Sequence, residues 1–164
     1  MNPSLLIESG VQGCLDPKKQ TQINGIDLTV GKIARFDQSD SAGCLDFDNS
    51  ERRLPRTKCI YDSITASEII LTPGAYLLEF AETIQIPMNA CGIVFPRSTL
   101  MRCGSTLHSA VWDSGYIGKG SVLLDVSRNI RLKGRARIAQ IVFVGAESEG
   151  KYEGIYQGEG IKNV

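Results

Sequence analysis

The 164-residue chain has one histidine, one tryptophan and no Cys-x-x-Cys pair. Zinc centres draw on clustered His and thiolate ligands. The zinc route to base deamination needs a His or Cys beside a Glu, followed by a Cys-x-x-Cys pair, so both are excluded. The five cysteines, Cys14, Cys44, Cys59, Cys91 and Cys103, are odd in number and scattered. They offer no disulfide framework and read as small buried hydrophobes. His108 has no His or Cys partner and reads as a structural hydrogen-bonding residue. Excess charge is missing too, because 18 Lys and Arg balance 18 Asp and Glu. No basic field exists to hold a nucleic acid polymer or an anionic membrane. No apolar run reaches the roughly 18 residues that cross a bilayer. Met1 to Gly10 carries one acid and no base, unlike a signal peptide. A cytoplasmic protein is expected.

The sequence does contain short apolar runs closed by Gly and Pro. Ile69-Ile70-Leu71 ends at Thr72-Pro73-Gly74, Ala75 to Phe80 follows, Ile84-Gln85-Ile86 ends at Pro87, and Cys91 to Phe95 ends at Pro96. Val122 to Val126 and Ile138 to Val144 are β-branched and glycine-flanked. Such spacing predicts a mostly β domain: a sandwich, jelly roll or barrel. One short N-terminal helix is expected over Pro3 to Glu8, stopped by Gly10. Alternation at Ile26, Leu28 and Val30 fits a strand with one wet face. Ser39 to Arg56 reads as a surface loop or irregular hairpin. Residues 1–146 form the β domain, and 147–164 a tail that is frayed or folds over something else.

Four segments carry candidate chemistry. Pro96 to Arg102 presents Arg97, Ser98 and Arg102 with free backbone N–H groups, a donor set suited to a phosphate chain. Ala110 to Gly118 places Asp113 before a glycine turn and Tyr116 after it. A carboxylate there can accept a proton from water, and an aromatic can floor a sugar or base. In Gly134 to Gln140, Arg and Gln at a strand entrance could reach phosphate oxygens. Asn24 to Gly31 sets Asp27 between glycines, where it can bond neighbouring loops or a water on magnesium. No dedicated metal cage is legible. Each segment alone also reads as an ordinary turn or strand start.

Their order is what is specific. From about Leu5 to Glu159 the chain resembles the dUTPase and dCTP deaminase superfamily. Asn24 to Gly31 resembles its first motif, Pro96-Arg97-Ser98 the second, Asp113 to Gly118 the third and Gly134 to Phe143 the fourth. Tyr156 to Gly160 resembles the deaminase version of the fifth. The resemblance implies a distorted β-barrel or jelly roll of the β-clip type, assembled as a homotrimer with sites between subunits. It implies that Asp113 activates water against the α-phosphate and Tyr116 packs on the deoxyribose. Arg97, Ser98 and Gln140 would hold phosphates with Mg2+, Arg102 would bind substrate beside them, and Asp27 would reach the ion through water. Backbone near Ala110 would read the base, and Tyr156 and Gln157 would close from the tail.

The same resemblance leaves two substrates, dUTP and dCTP. Arg102 and the stretch from Asp16-Pro17 to Asn24 look like the deaminase side. Deaminases, however, carry a proton-moving Glu on the strand after the third motif. Here that strand reads Ser121-Val122-Leu123-Leu124-Asp125. Asp125 fits only with a two-residue insertion around Lys119-Gly120, and otherwise Leu123 takes the place. Typical dUTPases have Tyr-Arg-Gly where this chain has Tyr116-Ile117-Gly118, and a Gly-rich fifth motif that is missing here. The expectation is a dUTP diphosphatase that makes dUMP and pyrophosphate. The alternatives are a dCTP deaminase, mono- or bifunctional, and a non-catalytic nucleotide-binding regulator.

Overall fold

The computed structural model describes residues 10–161. The helix expected over Pro3 to Glu8 lies outside them. The described chain is mostly β, as expected, and its main sheet curls into a barrel-like wall. β7 (Ala90–Pro96), β12 (Arg137–Gly145), β2 (Ile26–Phe36), β5 (Gly74–Phe80), β10 (Ser121–Val126) and β8 (Ser105–His108) follow one another across it. β3 (Thr57–Asp62) also pairs with β2. β1 (Val11–Gln12), β6 (Thr83–Gln85) and β9 (Ile117–Gly118) form a small sheet, and β4 (Glu68–Leu71) pairs with β11 (Ile130–Lys133). The strand pairings among the described residues are antiparallel, for example Leu124 opposite Tyr76. Among the described residues no helix is long and apolar enough to cross a membrane.

β2 is the spine. Its first half pairs with β12, and its second half pairs with β5 and β3. The register shifts between Val30 and Lys32, where the strand passes from one set of neighbours to the other. The expected wet face is absent: Ile26 through Val30 are all buried. Alternation suggested a half-exposed strand, but the polar members Asp27 and Thr29 are turned into internal hydrogen-bond networks instead of water. Around this spine the core is built from Leu28, Ile33, Leu78, Phe80, Leu124 and Ile141.

Glu82, at the β5–β6 turn, is 0% exposed. Its carboxylate accepts from Gln20 Nε2 at 2.9 Å, Thr29 N–H at 2.9 Å, Thr29 Oγ1 at 2.6 Å and Arg135 Nη2 at 2.8 Å. Arg135 also donates from Nε to Thr29 Oγ1 at 3.1 Å and from Nη2 to the Gly13 carbonyl at 2.8 Å. A buried charge needs this pairing, because an uncompensated one costs several kcal/mol. Arg135 at this strand entrance is therefore turned to Glu82, while Arg137 beside it is turned to Asp27.

Two short helices occupy segments read as irregular. α1 (Pro17–Gln20) starts at Asp16, whose carboxylate accepts from Lys19 N–H at 3.2 Å, with Pro17 in the first turn. α2 (Ser98–Arg102) replaces the open loop expected after Pro96. β3, β8 and β11 went unanticipated because polar or charged residues interrupt their apolar runs. Ser39 to Arg56 is indeed an irregular hairpin, closed by paired backbone bonds between Cys44 and Arg53. None of the five cysteines is fully buried: Cys59 and Cys103 are exposed, the other three half-buried, and all are free thiols. Cys59 sits on the exposed face of β3, Cys91 on β7, Cys103 after α2, Cys44 in the hairpin and Cys14 in a loop packed against the edge of the core. Burial still pushes the Cys14 thiol above its ordinary value. His108 is exposed at the end of β8, with no ring hydrogen bond among the described residues.

Replacing Glu82 with Ala strands Arg135, Gln20 and Thr29 in the interior. Urea unfolding is expected to register a loss of about 3–5 kcal/mol. A loss below about 1 kcal/mol would mean the network does not hold these elements together.

Candidate active site

The third motif turns sharply. Tyr116 N–H donates to the Asp113 carbonyl at 3.1 Å, and Gly115 has φ +78° at the third turn position. A β-turn of this kind needs a positive φ there, which glycine adopts without strain. Ser114 is buried and anchors the turn, its Oγ donating to the Ala90 carbonyl at 2.7 Å. Asp113 is left exposed on the turn while Tyr116 is driven inward to 6% exposure. The Tyr116 ring meets Trp112 and Tyr152 edge-on, with centroids 5.4 and 5.5 Å away. Burial, followed by the Glu159 carboxylate, pushes its hydroxyl above the ordinary range. Gly118 completes the fit, because a Cβ there would strike the Tyr116 hydroxyl.

These residues open onto a cavity of about 440 Å3. It gathers four of the expected residues, Ala110, Asp113, Tyr116 and Tyr156. Gln157 sits beside it and clips the turn: its Oε1 accepts from Ile117 N–H at 2.9 Å, and its Nε2 donates to the Gly115 carbonyl at 3.0 Å. The opposite wall is largely apolar, made by Phe36, Leu54, Pro55 and Leu77. A second cavity of about 470 Å3 lies on the other side of Asp113, lined also by Ser114, Lys151 and Tyr152. Asp113 thus stands between a nucleoside-sized space and a more polar one.

The remaining expected residues lie elsewhere on the subunit. Arg97 directs Nε to Asp27 Oδ2 at 3.1 Å, and Arg137 directs Nη1 to the same oxygen at 3.2 Å. Asp27 is 2% exposed. Burial raises its carboxyl above the ordinary value, and the two guanidiniums offset this only in part. Gln140 faces Asp27 and Phe95 across the adjoining strands. Ser98 and Arg102 are exposed on α2, which starts directly after Arg97. This group has three guanidiniums against one carboxylate, yet none of its members lines either cavity. Asp113, conversely, has no cation within ion-pair distance among the described residues. Within this chain the two halves of the expected site are therefore held apart.

Asp125 belongs to neither half. It is exposed on β10 opposite Ala75 and Thr106. The cavity wall instead has Leu77, which pairs across the sheet with Leu123. Asp125 lies two residues further along the same face, roughly 6–7 Å on.

Sequence reasoning missed Tyr152, Ser121 and Glu159 in the cavity lining, and also the apolar wall. Tyr152 and Glu159 lie in the tail already singled out by composition, so a signal for them existed. Phe36, Leu54 and Pro55 gave none, because only the curl of β2 and its hairpin brings them to the third motif. No cluster of three or more His, Cys, Asp or Glu suited to a metal ion occurs among the described residues.

A probable deoxyuridine 5'-triphosphate nucleotidohydrolase of Methanosarcina barkeri is 44% identical over 164 residues, covering 98% of this chain and 91% of its own. The deoxyuridine 5'-triphosphate nucleotidohydrolase of Methanocaldococcus jannaschii is 44% identical over 142 residues, covering 86% of this chain and 89% of its own. Among solved structures, the 2'-deoxycytidine 5'-triphosphate deaminase of Agrobacterium tumefaciens superposes with a TM-score of 0.57 at 19% identity, over 85% of this chain. This chain spans 45% of that structure's length, and the likeness is one of fold. Residues 6–146 match the family described as dCTP deaminase-like. With the match running through all four motifs of the β domain, the chain belongs to the dCTP deaminase-like family.

Proposed function

We propose that this protein is a cytoplasmic dUTP diphosphatase that works as a homotrimer. The single observation that carries the reading is the position of Asp113, exposed between two cavities, in a pocket that Leu77 of β5 and Ser121 of β10 line without Asp125, and whose other carboxylate, Glu159, comes from the tail and is bonded to Ser121. Hydrolysis needs one base at the phosphate. Deamination needs a second proton carrier at the pyrimidine, and Asp125 stands outside the cavity. The nucleotidohydrolase names of relatives covering most of the chain support the same choice.

In this reading the deoxyribose lies against Tyr116, where a buried ring leaves little room for a 2'-hydroxyl. Backbone near Ala110 meets the pyrimidine edge. Asp113 takes a proton from water as the water oxygen bonds to the α-phosphorus. The bond from that phosphorus to the β-bridging oxygen breaks, leaving dUMP and pyrophosphate. The guanidinium group around Asp27 supplies the phosphate cradle from a neighbouring subunit, with Ser98, Arg102 and Gln140. Its net positive charge suits a triphosphate, and its separation from Asp113 within one chain supports a site shared between copies. The tail, residues 147–164, closes over the nucleotide through Tyr156 and Gln157.

Mg2+ suits this site only as a companion of the substrate. Asp27 is committed to two arginines and no carboxylate cage is present among the described residues, so phosphate oxygens and water would hold the ion. It would supply charge neutralisation on the phosphates.

Asp113→Asn is expected to lower kcat for pyrophosphate release from dUTP by at least about 100-fold with little change in dUTP binding. Wild-type turnover in this variant would overturn the assignment. Mixing inactive Asp113→Asn and Arg102→Ala subunits after reversible dissociation is expected to restore activity, since about a quarter of shared sites would then be intact. Recovery of nothing would place both residues in one subunit's site. Chelation with EDTA should abolish hydrolysis while leaving the melting temperature unchanged, because no part of the fold is built around the ion.

A further inference from the structure

The tail is docked on its own subunit. Tyr152 N–H donates to the Ser114 carbonyl at 2.7 Å, Gly158 N–H to the Ile117 carbonyl at 2.8 Å, and Lys119 N–H to the Glu159 carbonyl at 2.8 Å. The tail acids Glu147, Glu149 and Glu153 are exposed, but Glu159 is half-buried in the cavity wall. Its Oε1 accepts from Ser121 Oγ at 2.9 Å.

The surroundings of Glu159 are acidic. Glu79 of β5 lies beneath the tail, where a Cβ added to Gly160 would come within 2.9 Å of Glu79 Oε2. Lys32 of β2 answers Glu79 from the other side, with Nζ 3.3 Å from Oε1. Lys119 flanks Gly160 with its aliphatic stem. The hydroxyls of Tyr116 and Tyr152 complete the ring of titratable groups, and Tyr116 Oη has no hydrogen bond among the described residues. Burial raises the Glu159 carboxyl above its ordinary value and Glu79 raises it further, against the pull of the Ser121 hydrogen bond. Two carboxylates under one stretch of tail cannot both ionise without cost.

We propose that Glu159 is a positioning residue whose neutral carboxyl latches the tail over the cavity, so that the empty site opens as pH rises. Its role in turnover rests on the reading of that cavity as the nucleotide site; the latch itself does not. A carboxyl that titrates higher when docked than when free strengthens docking fully below the free value of about 4.3. That contribution is lost as pH rises through the docked value. Above the docked value the latch is lost and closure falls to the bound ligand, as suits a lid that must also release product.

The test is amide hydrogen exchange on the full chain without nucleotide, corrected for intrinsic rates and referenced to β5. Protection of the Tyr152 and Gly158 amides should fall as pH rises from the free carboxyl value of about 4.3 through the higher docked value, by at most tenfold per unit because one proton is linked. Glu159→Gln should keep the protection high and flat across that range. Glu79→Gln should move the fall to lower pH, since it removes the charge that raises Glu159. A slope in Glu159→Gln equal to that of the wild type would overturn the latch, as would wild-type protection that does not change with pH. No nucleotide enters this measurement, so its outcome is separate from whether Asp113 catalyses hydrolysis.

Discussion

A carboxylate with no exposed surface survives in this barrel because four hydrogen bonds converge on it. Glu82 takes them from α1, from both the backbone and the side chain of β2, and from the turn before β12. Those contacts fix where β2 lies against its neighbours. β2 in turn carries Asp27, to which Arg97 and Arg137 are tied. The Asp27, Arg97 and Arg137 group is thus positioned by a buried charge elsewhere in the fold. Full pairing is what makes such a network specify one arrangement, since a half-satisfied one would be worse than an apolar core.

The other half is organised by packing. A glycine turn exposes Asp113 and buries Tyr116 three residues later, between Trp112 and Tyr152. Both halves use residues of the sequence motifs, yet they face different parts of the same subunit. That separation follows from antiparallel pairing: Arg97 ends β7 next to β12 and β2, whereas Asp113 precedes β9 and the cavity bounded by β5 and β10. Each half has what the other lacks, arginines without a free carboxylate and a carboxylate without an arginine.

Much of the β architecture was legible, because runs such as Ala75 to Phe80 and Ile138 to Val144 end at glycine or proline and have little helical periodicity. One strand that escaped notice, Thr57–Asp62, has four exposed residues in a row, so its pairing is set by backbone and not by side-chain pattern. Asp27 shows the opposite failure. Its alternation with apolar neighbours predicted a wet face, and only the presence of two guanidiniums from distant segments makes a buried carboxylate tolerable there.

By itself the sequence determined the class of fold, the absence of a thiolate–histidine zinc centre and the residue types available for phosphate chemistry, since composition and motif order do not depend on folding. Asp113 and Tyr116 were identifiable for the same reason, because the glycine that turns the chain between them is local. Which residues meet was decided only by tertiary structure. The curl of β2 brings Phe36, Leu54 and Pro55 to the cavity, the tail delivers Tyr152 and Glu159, and strand register puts Leu77 and Ser121 on its wall and leaves Asp125 off it. Such contacts join positions up to about a hundred residues apart, and their geometry comes from twist, register and burial, none of which a linear pattern encodes.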